Sequence, residues 1–136
     1  MGAWSHEPFG NDTANDWAYD LEKTKDLSHI EATLDSVLEQ GATYLEAPNA
    51  EEAIGAIEVL AKLLGRGTQS DTYTEKVDAW VKSIKQKPSA ALLQKAQKVI
   101  ARILAKDSEL LELWQDSDEL QKWQASMAQL LAAVSA

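Results

Sequence analysis

The run of residues 49–64, NAEEAIGAIEVLAKLL, constrains this chain more than any other stretch. Drawn as a helix, it places Ile54, Ala56, Ile57, Val59, Leu60, Ala61, Leu63 and Leu64 almost all the way round. Only Glu51, Gly55, Glu58 and Lys62 mark a narrow polar stripe. A helix with so little polar surface must be covered on several sides. The run therefore predicts a central helix wrapped by others, with Asn49 and Glu52 as a capping box at its start and Gly65 as its stop.

The flanking segments supply the wrapping. Helical spacing puts Ala14, Trp17, Ala18 and Leu21 on one side of a helix over residues 13–23, and Asp12, Asp16 and Asp20 at i, i+4 intervals on another. Ser28 and Glu31 form a capping-box pattern for a second helix over 28–40, which Gly41 ends. After the central helix, Thr72 and Glu75 open a helix that Pro88 closes, and Ser89 caps the next, which carries Lys95, Lys98, Arg102 and Lys106 on its outer face. A short helix over 109–114 and a long one from about residue 118 finish the chain. The pattern is all-α: a single compact domain of six to seven helices, with no strand signal and with 65–72 as the likeliest flexible point.

Ahead of the first helix, residues 1–11 form an arm rich in Gly and Pro, too broken to be helical. Its aromatics set it apart from a disordered tail. The arm is therefore expected to dock, with Trp4 and Phe9 buried. Asn11 and Asp12 offer side-chain acceptors to the first helix.

No cysteine is present, which excludes disulfides and thiolate metal sites and fits a reducing compartment. The N-terminus has no signal-peptide pattern, and no apolar run approaches the length needed to span a bilayer. A cytoplasmic location is the expectation. The net charge of -9 sits entirely in residues 1–68, with 13 acidic and four basic side chains, while residues 69–136 balance at nine of each. An acidic half repels nucleic acid and anionic lipid and favours a basic protein partner.

Motifs with a mechanism are missing: GxSxG, HExxH, a Walker loop and CxxC do not occur, and His6 and His29 are the chain's two imidazoles. Asp26 and His29 make half a metal site at most, so no metal or cofactor is expected. The Gly65, Arg66, Gly67, Thr68 loop follows a helix, whereas phosphate loops precede one. The basic row at Lys95 to Lys106 lacks interleaved aromatics and reads as a solvated face.

The opening residues carry a further signal. Gly2, Ala3, Trp4, Phe9, Asn11, Asp12, Ala14, Asp16 and Trp17, the YLEAP segment at 44–48 and the SEL-x-ELW run at 108–114 resemble a bacterial family catalogued as domain of unknown function 4259. The chain has Ser5 and Glu7 where that family usually has glycines. The resemblance implies a small bacterial cytosolic protein and assigns it no activity.

Two functions follow as expectations. The first is a non-enzymatic interaction protein, immunity- or antitoxin-like, that binds a basic protein through its acidic N-terminal half. The second is a small-ligand binder or enzyme with a pocket between the arm and the first and third helices, drawn from His6, Asn11, Asp12, Asp16 and Tyr44. Trp4, His6, Asn11, Asp12, Asp16, Asp20 and Tyr44 are the candidate binding residues.

Overall fold

The computed structural model describes residues 3–41 and 43–135; Met1 and Gly2 of the arm, the latter one of the residues carrying the family resemblance, lie outside them. Seven α-helices follow in order: α1 (Asp12–Glu22), α2 (Ser28–Glu39), α3 (Ala47–Leu63), α4 (Glu75–Ile84), α5 (Ala90–Ile103), α6 (Glu109–Gln115) and α7 (Leu120–Ser135). A 3-10 turn, Thr72–Thr74, leads into α4. Among the described residues there are no strands, only isolated bridges pairing Ala3 with Asn11 and Leu45 with Ser108.

The apolar run is the spine. α3 packs against α1, α2, α4, α5, α6 and α7, and every residue from Ala53 to Ala61 is buried. Burying apolar side chains on all sides of one helix is the dominant favourable term for a chain of this size. Gly41 and Gly65 both adopt positive φ, at 55° and 75°, where glycine ends a helix without a Cβ penalty.

Three helix starts differ from the sequence reading because another carboxylate takes the place of the expected cap, a distant one at α3 and a neighbouring one at α2 and ahead of α4. α3 begins at Ala47, ahead of the expected Asn49 cap, because Glu109 of α6 accepts from the Ala47 N–H at 2.7 Å and Pro48 fits the first turn. At α2 the Ser28–Glu31 capping box does not form; Asp26 accepts from both Ser28 N and Ser28 Oγ, at 3.0 and 2.6 Å. Ahead of α4 it is Asp71 and Thr74, not Thr72 and Glu75, that make the capping box, around the 3-10 turn. Ser89 caps α5 as expected, accepting from Leu92 N.

The arm docks, but only one of its two aromatics is buried. Phe9 is fully enclosed and lies over Gly55 of α3, where a Cβ would come within 3.4 Å of the ring. Trp4 is 47% exposed, correcting the expectation that it belongs to the core. The hairpin-like pairing of Trp4 N with Gly10 O at 2.8 Å turns its indole outward, onto the Tyr73 ring.

Candidate functional site

The polar stripe of α3 faces inward, not toward solvent. Glu58 has no exposed surface, and its carboxylate accepts from Thr68 N, Thr68 Oγ1 and Gln69 N at 2.7–2.8 Å. Lys62 lies 3.8 Å from Glu58 and 2.7 Å from Asp78 of α4, and it also donates to the Gln69 carbonyl. Gln69 in turn accepts from Phe9 N at 2.8 Å and donates to Asp71 at 3.0 Å. One cluster thus ties the 65–71 loop, expected to be the chain's most flexible point, to the spine, α4 and the arm. Burial pushes the Glu58 carboxyl above its ordinary range, against the pull of its three donors and the Lys62 ammonium. Every partner of this cluster is internal, so it reads as architecture.

α1 presents the opposite arrangement. Asn11 caps it, with Oδ1 accepting from Ala14 N at 2.7 Å. Ala14, Trp17, Ala18 and Leu21 face the core. Asp12, Asp16, Tyr19 and Asp20 are exposed on the outward side. Among the described residues Asp12 and Asp16 have no ion-pair partner, and Asp20 has only Lys23 at 3.9 Å, in full view of solvent, a pair of little energetic value.

Beside this row runs a groove of about 200 Å³, walled on one side by Asn15, Ala18, Tyr19 and Glu22 of α1 and on the other by Thr72, Tyr73, Glu75 and Lys76. Tyr73 packs against Trp4 with ring centroids 5.2 Å apart, and the Lys76 ammonium stands 4.4 Å over the Tyr19 ring. Trp4, Tyr19 and Tyr73 are each about half exposed, at 47, 52 and 53%. Exposed aromatics gathered in one place mark contact sites more often than isolated ones do.

The remaining candidates go elsewhere. His6 lines a separate cleft of about 300 Å³ between the arm and α7, with Glu7, Lys122, Ser126 and Gln129. Tyr44 donates its hydroxyl proton to Glu112 of α6 at 2.9 Å, and that hydrogen bond pushes its pKa up to about 12. The space between the arm and α3 that touches both His6 and Asn11 amounts to about 10 Å³, room for about one water. Thus Trp4 and the three aspartates lie on or beside one face, Asn11 is a structural cap, and His6 and Tyr44 belong to other surfaces. Sequence reasoning missed Tyr19, Tyr73 and Lys76; the legible signal was a tyrosine on the polar side of α1, between Asp16 and Asp20.

Two of the four side chains in the basic row, Lys95 and Arg102, are engaged within the fold. Lys95 pairs with Glu31 and Asp35 of α2 at 2.6 and 2.9 Å. Arg102 donates to the carbonyls of Gly41, Thr43, Lys106 and Asp107, binding the 41–45 segment to the end of α5. Among the described residues no three His, Asp or Glu side chains are grouped to hold a metal ion, and no helix is long and apolar enough to cross a membrane.

The model of the domain of unknown function 4259 family matches residues 2–126, and the chain belongs to that family. No curated protein and no solved structure matches it.

Proposed function

We propose that this member of the domain of unknown function 4259 family is a non-enzymatic interaction protein of the bacterial cytoplasm. It binds a basic protein partner through α1 and the arm, in the manner of an immunity or antitoxin protein. The observation that carries this reading is the row Asp12, Asp16 and Asp20, exposed and, among the described residues, with no ion pair beyond the solvent-exposed one from Lys23 to Asp20, beside the half-exposed Trp4, Tyr19 and Tyr73. Like charges at i, i+4 repel by a few tenths of a kcal/mol per pair, and among the described residues no ion pair offsets this for Asp16. Complementary charge from another molecule would, raising association rate and specificity. Aromatic side chains next to such a rim supply the apolar area that anchors an interface.

The pocket-based alternative has less support, since the space between the arm and α3 is water-sized and Tyr44 is engaged with Glu112. The test is affinity capture from the native host, followed by kinetics on the captured basic protein. Asp16→Lys with Asp20→Lys should slow association markedly, and rising salt should weaken the parent complex. A double variant that associates at the parental rate, with the parental salt dependence, rules out this face.

A further inference from the structure

The groove beside the acidic row has the chemistry of a cation site, and the fold already places a cation in it. Lys76 Nζ stands 4.4 Å from the Tyr19 ring centroid, over the negative face of the ring, where cations are attracted. The walls add the carboxylates of Glu22 and Glu75 and the exposed Tyr73 ring, itself backed by Trp4. Lys76 is tethered to α4 and exposed, and no carboxylate within ion-pairing distance holds it there among the described residues. It is a removable occupant.

We infer that this groove receives one arginine side chain of the basic partner, its guanidinium laid on Tyr19 and reaching a groove carboxylate, with Lys76 swung out to admit it. The inference rests on the basic-partner reading and names the residue that partner must present. Arginine fits better than lysine because a planar guanidinium can stack on a ring face and at the same time donate in a fork to a carboxylate. The groove's volume of about 200 Å³ suits a single long side chain.

The experiment is an NMR titration of the full chain with the probe acetyl-Gly-Arg-Gly-amide, alongside the neutral isostere in which citrulline replaces arginine and the corresponding lysine peptide. The arginine peptide should shift the Tyr19 and Tyr73 amides and the Trp4 indole N–H, with affinity on the order of millimolar, and the citrulline peptide should not. Lys76→Ala removes the resident cation and should tighten arginine binding about two- to five-fold. Tyr19→Leu should abolish it. Both side chains are exposed, so neither variant threatens the fold. Arginine shifts that bypass Tyr19 and Tyr73, a citrulline peptide that binds equally, or Lys76→Ala that binds no more tightly would overturn the inference, and a lysine peptide that binds as well would overturn the choice of guanidinium. The two readings fail separately: loss of the groove result leaves the dependence of the captured partner on Asp16 and Asp20 intact, and loss of that dependence leaves the arginine titration to be judged on its own.

Discussion

Two helices of this protein carry charged side chains four residues apart, and the fold treats them in opposite ways. In α3, Glu58 and Lys62 are enclosed, and among the described residues their side chains engage each other, the 65–71 loop and α4. In α1, Asp12, Asp16 and Asp20 remain in solvent with little beyond a loose contact to Lys23. Spacing is the same in both. What separates them is whether a second segment arrives with donors: residues 65–71 fold back over α3, and no described segment brings donors to Asp12 or Asp16 of α1. Charge satisfied internally builds the fold, and charge left over is available to another molecule.

The largest effect should come from breaking the satisfied side. Glu58→Leu strands two backbone N–H groups, the Thr68 hydroxyl and part of the Lys62 charge, and removing one partner of such a buried set costs about 3–5 kcal/mol. Glu58→Gln keeps an acceptor for the backbone donors and should cost much less. Urea unfolding of the two variants checks this; equal losses would mean that the cluster is merely filled volume. Phe9→Ala should be comparable to Glu58→Leu, since removing a buried aromatic costs about 3–5 kcal/mol. Trp4→Ala should cost under about 1 kcal/mol, as its exposed indole loses mainly one ring contact. Equal melting points for the Phe9 and Trp4 variants would contradict this account of the arm.

A smaller effect belongs to pH. Burial holds the Glu58 carboxyl above its ordinary 4.5, so the folded chain keeps that proton more tightly than the unfolded one. Stability from this group is complete below the unfolded value and is lost as pH climbs through the raised folded value. Glu51 and Glu52, also raised chiefly by burial, act in the same direction. The melting temperature should therefore rise on mild acidification from neutral toward that ordinary value, and Glu58→Gln should flatten the rise. A parent that gains stability as pH increases over this interval would reverse the assignment.

Most of the fold was legible in the sequence because apolar periodicity survives tertiary context. The all-round apolar run became the spine, and Gly41, Gly65 and Ser89 did locally what their residue types favour. Much of what was not legible depends on partners from other segments: Glu109 starting α3, Glu58 clasping Thr68 and Gln69, Arg102 gathering the Gly41 and Thr43 carbonyls. No local pattern encodes those meetings. The acidic half of the candidate site was readable from the i, i+4 aspartates opposite Ala14 and Trp17. Its aromatic half was not, because Trp4 and Tyr73 are brought together by the turn of the arm, 69 positions apart in sequence.

On the unsatisfied side, Asp16→Lys with Asp20→Lys should change stability by less than about 0.5 kcal/mol, the smallest effect of the set, while removing the charge that a partner would meet. The direct measurement is an amide-resolved NMR titration of the parent with a deca-lysine peptide. It pits the α1 row against the chain's other acidic patch, Asp107, Glu109, Glu112, Asp116, Asp118 and Glu119, where Tyr44 and the Ala47 N–H already engage Glu112 and Glu109. The account predicts shifts concentrated at Asp12, Asp16, Tyr19 and Asp20 and at the Trp4 indole, lost in the double variant. Shifts of equal size over residues 107–119, or a double variant that responds like the parent, would contradict it.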